Sequence, residues 1–283
     1  MEIIVANSAG FCFGVKRATQ MAFEASDVHQ HICSLGPIIH SPQVVQQLAE
    51  KGVAVVDRVE AIPTGAVIIR SHGVTAEEMR AIQGRELTVV DATCPFVKKA
   101  QEYAAQLATE GYTVVIVGEA EHPEVQGIVS YAGGGKVHVV ANAADAGMLP
   151  RMGRVGIVAQ TTQSFENLRQ VAAICLEKCR ELHVFNTICD ATTVRQNEAR
   201  EIARKVDVML VIGGYNSANT TRLAQICREI LAATHHLETA EDVERSWFVG
   251  AQRIGITAGA STPRWLIDEV CNRVAELVHP GEK

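Results

Sequence analysis

A chain of 283 residues with 47% apolar content can bury a substantial core, and its length allows two or three domains of ordinary size. Its 26 Lys and Arg stand against 32 Asp and Glu, a formal charge of -6 without a basic run, which excludes a nucleic-acid footprint and requires any bound anion to be caught locally. The opening residues Met1-Glu2-Ile3-Ile4-Val5-Ala6-Asn7 lack the basic and apolar regions of a signal peptide, and no apolar run approaches the roughly 20 residues of a membrane span. A cytoplasmic protein with neither membrane nor nucleic acid as partner is the expectation.

One unit recurs along the chain: a short β-branched apolar run, a turn of Gly, Ser, His or Pro, then a helical pattern. Cys12-Phe13-Gly14-Val15-Lys16-Arg17-Ala18 opens the first such helix, and His40-Ser41-Pro42-Gln43 marks the next junction. Residues 67–73 run from a strand into Thr75-Ala76-Glu77-Glu78, where Thr75 and Glu78 have the spacing of a capping box. Cys94-Pro95-Phe96-Val97-Lys98-Lys99-Ala100 then opens a helix, and the run at 113–118 leads to His122-Pro123-Glu124-Val125. Gly133-Gly134-Gly135 reads as a tight connection between strands, with Lys136-Val137-His138-Val139-Val140 following. Gln160-Thr161-Thr162, the helical stretch at 167–179, Cys189 with its helix, and the strands at 208–214 and 253–259 complete the alternation. Strand, turn and helix in this order predict an α/β fold of mostly parallel sheets covered by helices.

Eight cysteines at irregular, mostly long spacings do not form the dense framework of a small secreted domain, so their role is metal, catalysis or packing. The Cys12 segment reappears at Cys94 with apolar, basic, basic and alanine positions in step. Cys189 leads a third stretch, Asp190-Ala191-Thr192-Thr193-Val194-Arg195, shifted by inserted residues. The three cysteines lie 82 and 95 residues apart, which predicts three related α/β domains at 1–93, 94–188 and 189–283. Each offers one sulfur from a turn before a helix, where the dipole favours an anionic ligand, and a pseudo-threefold assembly would bring the three together. Soft sulfur suits zinc, copper(I) or an iron-sulfur cluster, and three ligands on a four-iron cubane leave one iron open. Cys12 and Cys94 are therefore read as ligands of such a cluster rather than as packing residues, with Cys189 a weaker third for which packing stays open at this point. Cys33, Cys175, Cys179, Cys227 and Cys271 fall in apolar patterns and read as core.

His40, His72 and His122 each stand where a strand gives way to a helix, the edge of an open α/β sheet at which ligands bind. Thr161, Thr162, Ser217, Asn219 and Ser261 occupy comparable junctions. Neutral donors with three histidines suit a phosphate or diphosphate, while ordinary N-capping accounts for any one of them alone. Glu124 is the carboxylate of this set, either a proton donor or a first-turn acid favoured by the helix dipole.

Taken together, Ala9-Gly10-Phe11-Cys12-Phe13-Gly14-Val15, Arg70-Ser71-His72-Gly73-Val74, Asp91-Ala92-Thr93-Cys94-Pro95, Glu121-His122-Pro123-Glu124, Gln160-Thr161-Thr162, Asn186-Thr187-Ile188-Cys189 and Asn216-Ser217-Ala218-Asn219-Thr220 closely resemble the 4-hydroxy-3-methylbut-2-enyl diphosphate reductases, over essentially the whole chain. The resemblance implies a trefoil-like α/β fold around a [4Fe-4S] cluster held by Cys12, Cys94 and Cys189. It implies an allylic diphosphate substrate whose hydroxyl meets the open iron and whose diphosphate is held by His40, His72, His122, Ser217, Asn219 and Ser261. Glu124 and Thr161, with His122, would serve proton transfer, and two electrons from a ferredoxin or flavodoxin with two protons would give isopentenyl and dimethylallyl diphosphate. Two positions depart from the family's pattern: Ala218 stands where serine is common, and Tyr215 where lysine is frequent. The rival readings are an aconitase-like hydro-lyase using the open iron without net redox change, and a non-enzymatic phosphate-binding α/β protein, which no P-loop or intact Gly-x-Gly-x-x-Gly supports.

Overall fold

The computed structural model describes residues 1–133 and 135–278. Among them twelve strands alternate with ten α-helices: β1 (Glu2–Val5), α1 (Phe13–Val28), β2 (Ile32–Leu35), α2 (Pro42–Glu50), β3 (Val53–Val56), β4 (Gly65–Ile69), α3 (Ala76–Gln83), β5 (Leu87–Asp91), α4 (Pro95–Thr109), β6 (Thr113–Val117), α5 (Pro123–Tyr131), β7 (Val137–Val140), α6 (Ala143–Met148), β8 (Arg154–Ala159), α7 (Phe165–Lys178), β9 (Glu181–Val184), α8 (Asp190–Ala203), β10 (Val208–Ile212), α9 (Ala218–Arg228), β11 (Thr234–Leu237), β12 (Arg253–Ala258) and α10 (Arg264–Val278). The capping box expected at α3 is present: Thr75 Oγ1 accepts from Glu78 N at 3.1 Å, and Glu78 Oε2 accepts from Thr75 N at 2.7 Å.

The strands form three sheets of four, every pairing parallel. Their orders are β3-β2-β4-β5, β7-β6-β8-β9 and β11-β10-β12-β1. Each order is the same, second strand, first, third, fourth, with β1 filling the fourth place of the last sheet. The segment expected to start the first domain at residue 1 thus begins with a strand whose partner is β12, in the register Glu2 to Arg253 through Val5 to Ile256. Pairing with β12 closes an edge that the C-terminal stretch would otherwise leave one strand short.

By packing, the chain divides into two compact units. One comprises Met1–Lys16, His40–Val44 and the residues from Asp190 onward, and holds the sheet of β1, β10, β11 and β12; the other comprises Arg17–Ile39 and Val45–Cys189, and holds the remaining two sheets. Parallel strands buried on both faces explain the near-continuous apolar runs. In the first unit Leu210, Ile212, Ile254 and Ile256 pack on Leu266, Ile267 and Val270 of α10, while Met209 and Val211 face Ala199, Ile202 and Leu223 of α8 and α9. In the second, Val115, Val117, Val155 and Ile157 meet Leu168 and Val171 of α7, and Val114, Ile116 and Val158 meet Ala104, Leu107 and Ile128 of α4 and α5. Each of the Val, Leu, Ile and Met side chains contributes roughly 1.5–3 kcal/mol of burial.

Two expectations change. The glycine run does not join two strands, because it follows α5; Gly133 closes the turn back to Ser130, and Gly134 lies outside the described residues. Cys179 ends α7 as its C-cap in extended conformation, so only Cys175 of that pair is helical; both still pack against the β8 core. No helix among the described residues is long and apolar enough to cross a membrane.

Candidate functional site

In each sheet the chain leaves the first strand for one side and the third for the other, so the strand order reverses between them and a crevice opens at their carboxyl ends. Positions repeat there. Five residues past the first strand stand His40, His122 and Ser217, following β2, β6 and β10; three residues past the third stand His72, Thr162 and Ser261, following β4, β8 and β12. The edge strands β5, β9 and β1 run into Cys94, Cys189 and Cys12, each directly before the first residue of α4, α8 or α1. Every one of these cysteines donates its N–H to a carbonyl two residues past the third strand: Cys94 to Ser71 at 2.9 Å, Cys189 to Thr161 at 3.1 Å and Cys12 to Ala260 at 3.2 Å. The repetition seen in sequence for Cys12 and Cys94 therefore extends to Cys189 through the backbone.

Within the larger unit, α5 carries two of the expected residues. His122 is its N-cap: Nδ1 accepts from Glu124 N at 3.1 Å, which puts the ring proton on Nε2, and Pro123 supplies the helical start. The His72 and His122 rings meet edge to face, centroids 5.4 Å apart. Glu124 is 2% exposed and turns inward, where Oε1 accepts from Thr161 N at 2.6 Å and Oε2 from Thr161 Oγ1 at 3.0 Å. Burial pushes its carboxyl up to about 7, prevailing over the hydrogen bonds from Thr161, with nearby Glu119 raising it further. A helix-dipole acid would face water; this one is enclosed. Since Thr161 O in turn accepts from Cys189 N, a continuous hydrogen-bonded line joins the carboxyl to the backbone of that cysteine.

Within the other unit the groups are neutral donors. Ser217 caps α9, its Oγ accepting from Thr220 N at 3.4 Å, and is buried. Asn219, two residues on, is 9% exposed, and its Nδ2 has no hydrogen-bond partner among the described residues. Such a buried donor costs about 1–3 kcal/mol unless something satisfies it. Ser261 Oγ donates to His40 O at 3.2 Å. Gly213, at φ +141°, and Gly259 let α9 approach this edge, because a Cβ on either would collide with Thr220 Oγ1. Ala218 opens α9 and contributes no side-chain donor; Tyr215 is exposed, its ring tilted against His236 at 4.8 Å and its N–H on Glu238 Oε1 at 2.8 Å.

The cysteines sort by environment. Cys12, Cys94 and Cys189 are partly exposed at helix starts, and no disulfide is formed. Cys33, Cys175 and Cys227 are buried, and burial pushes the last two thiols up to about 11 and about 12. Cys179 and Cys271 are also partly exposed, but they lie at the end of α7 and within α10, so only the first three present a soft sulfur at a helix start, donor chemistry that fits an iron-sulfur cluster lacking one protein ligand. Sequence reasoning passed over the buried stripe of α8, Thr192, Arg195, Gln196 and Ala199, in which polar groups hold the helical spacing of a core face; that spacing was the available signal.

Three copies of one switch-point sheet, each leading a helix with a cysteine, define a class of three-repeat α/β proteins. A family model described as LytB protein matches residues 3–275. The 4-hydroxy-3-methylbut-2-enyl diphosphate reductase of Syntrophotalea carbinolica is 65% identical over 98% of this chain and 99% of its own, and that of Geobacter sulfurreducens 62% over 98% of each. A solved structure of (E)-4-hydroxy-3-methyl-but-2-enyl diphosphate reductase, described as the terminal enzyme of the non-mevalonate pathway, aligns with a TM-score of 0.71 at 47% identity over 98% of this chain and 100% of that one. The Plasmodium falciparum E-1-hydroxy-2-methyl-but-2-enyl-4-diphosphate reductase gives 0.91 at 26% identity over 97% and 88%. The chain belongs to the LytB family, the 4-hydroxy-3-methylbut-2-enyl diphosphate reductases.

Proposed function

We propose that the chain reductively removes the hydroxyl of 4-hydroxy-3-methylbut-2-enyl diphosphate, giving isopentenyl and dimethylallyl diphosphate as the final step of the non-mevalonate isoprenoid pathway. Family membership across nearly the full length supports the substrate class. The line from Glu124 through Thr161 to Cys189 carries the mechanism.

Cys12, Cys94 and Cys189 would hold a [4Fe-4S] cluster. When bound, it supplies Lewis acidity at one uncovered iron together with one-electron redox capacity. The protein's own part is to bind, orient and protonate. His40, His72, His122, Ser217, Asn219 and Ser261 hold the diphosphate, their junction positions offering ring, hydroxyl and amide donors without a lysine or arginine. Asn219 Nδ2, buried and unpartnered, gains an acceptor in a phosphate oxygen. Glu124, raised to about 7, holds a proton near neutrality; protonated, its Oε2–H turns the 3.0 Å bond around and donates to Thr161 Oγ1, freeing the threonine hydroxyl to hand its own proton to the departing hydroxyl. The carbon-oxygen bond breaks with its electron pair on oxygen. Two electrons and two protons balance the alkene and the water formed. An enclosed carboxyl also keeps bulk water from competing for the proton. Electrons would come singly from a ferredoxin or flavodoxin, in the cytoplasm, where a reducing milieu keeps ligand thiols free. The three-domain division at 1–93, 94–188 and 189–283 belongs to the same proposal, with β1 counted in the third sheet.

The test is anaerobic purification followed by iron and sulfide assay and product analysis with and without reductant. We expect about four irons per chain and alkene diphosphates only when reductant is present. A hydration or dehydration product formed without reductant would establish the hydro-lyase reading instead, and an iron-free protein would remove the cluster from the mechanism.

A further inference from the structure

The basic residues that recur behind the cysteines take no part in the chemistry above, yet two of them reach another cysteine's loop. Arg195, on α8 beyond Cys189, is 3% exposed, and its Nη2 donates to the carbonyl oxygens of Ser8 at 2.6 Å and Gly10 at 2.7 Å, in the loop that ends at Cys12. One helical turn on, Glu198 accepts from the N–H groups of Asn7 at 2.7 Å and Ser8 at 2.8 Å, and from the Ser8 hydroxyl. Burial pushes the Glu198 carboxyl upward, but the bonds from Ser8 and Asn7 outweigh it and leave the group below its usual range, as suits a fixed anion. Gly10 holds φ +102°, and a Cβ there would press within 3.3 Å of Ile267 Cδ1, so the gripped loop has little room for another shape. Arg17, on α1 beyond Cys12, donates through Nη1 to Thr93 O at 3.2 Å, the carbonyl directly before Cys94.

We propose that Arg195 and Arg17 are positioning residues: each rises from the helix led by one cysteine and fixes the loop that presents another, Arg195 for Cys12 and Arg17 for Cys94. Bonds from a guanidinium to carbonyls are charge-assisted, so the loops are held more firmly than neutral turns hold themselves. A site that takes ligands from distant parts of the chain needs them set to within about 0.5 Å before the metal arrives. The purpose assigned here rests on the cluster reading of the preceding subsection, but the bracing does not.

The experiment uses full-length wild type, Arg195→Met, Arg195→Lys and Arg17→Met. Each is assayed for iron and sulfide after anaerobic purification, then stripped of metal and alkylated with N-ethylmaleimide, with rates read cysteine by cysteine by peptide mass spectrometry. Arg195→Met should accelerate alkylation of Cys12 about tenfold and leave Cys94 unchanged, and Arg17→Met should do the reverse. Both should bind less iron than wild type. Arg195→Lys, which keeps the charge and reaches one carbonyl, should accelerate Cys12 by a smaller factor. If Arg195→Met fails to fold, Cys33, Cys175 and Cys227 will react as well, and Arg195→Lys with Arg17→Met then decide. Unchanged rates, or equal acceleration of Cys12 and Cys94 in one variant, overturn the proposal. A wild type without iron refutes the cluster reading, and the alkylation rates still settle the bracing.

Discussion

The sheet of β6 to β9 and the sheet of β10, β11, β12 and β1 share one strand order and one set of junction positions, yet they carry opposite chemistry. Five residues past the first strand, one has His122 and the other Ser217; two residues further, one has Glu124 and the other Asn219. Both inner residues are buried, but Glu124 is saturated by Thr161 while Asn219 Nδ2 is left open. The decisive difference lies across the crevice. Two residues past the third strand, Thr161 supplies a hydroxyl where Ala260 has none. A carboxyl placed at Asn219 would lack that partner. The backbone frame is thus neutral as to function, and two side-chain positions give one copy an enclosed carboxyl and the other an open amide donor, which the proposed function takes as proton source and anion cradle.

What both copies share is the cysteine, so breaking that common feature should have the largest effect. Cys94→Ser should lose cluster and turnover together, as judged by iron content and the reduction assay; retained activity would refute the ligand assignment. Next, Glu124→Gln should break the difference between the copies by making the first neutral like the second. Turnover should fall about 10²–10⁴-fold, the usual worth of a positioned acid. Iron content and KM should stay near wild type. A fall in iron of the same size would make Glu124 structural.

The acid also leaves a thermodynamic mark. Its folded pKa, about 7, lies above the ordinary 4.5, so between those values the folded state holds a proton that the unfolded state releases. Stability should therefore decline as pH rises from about 4.5 to about 7, by on the order of 3 kcal/mol for a shift of this size. Glu124→Gln should flatten that part of the stability-pH curve. A slope unchanged in the variant would place the titration elsewhere.

Much of this contrast was legible in the sequence. The shared pattern behind Cys12 and Cys94 marked helix-leading cysteines because a local turn and the helix after it are written in adjacent residues. The resemblance then identified Cys189, and the histidine and hydroxyl junctions could be named from composition at strand ends. Other features needed the third dimension. That β1 completes the last sheet depends on pairing with a strand some 250 residues away, for which a four-residue strand with three apolar side chains carries no address. Whether Glu124 was an exposed dipole partner or an enclosed acid turned on its meeting Thr161, 37 residues on. Arg195 was hidden for the opposite reason: it sits on a helix face that its neighbours mark as buried, where a charge is unexpected until the carbonyls it serves are seen.

In the neutral copy the effects should be smaller and fall on binding. Asn219→Leu removes a buried donor that has no acceptor among the described residues, so the protein alone should lose little stability or gain some, while KM for the diphosphate rises about tenfold. A rise in KM with kcat unchanged is the signature of a group that only binds. Ser217→Ala should do least. Its cap bond to Thr220 N is long at 3.4 Å, so the loss in a denaturant melt should sit at the low end of the range for caps, about 0.5 kcal/mol. On the proposed function the hydroxyl's larger contribution is to the diphosphate, and the KM of Ser217→Ala should rise more than its stability falls. The reverse ordering, a marked loss of stability with KM unmoved, would return Ser217 to plain capping and leave Asn219 and Ser261 as the side-chain donors of that cradle.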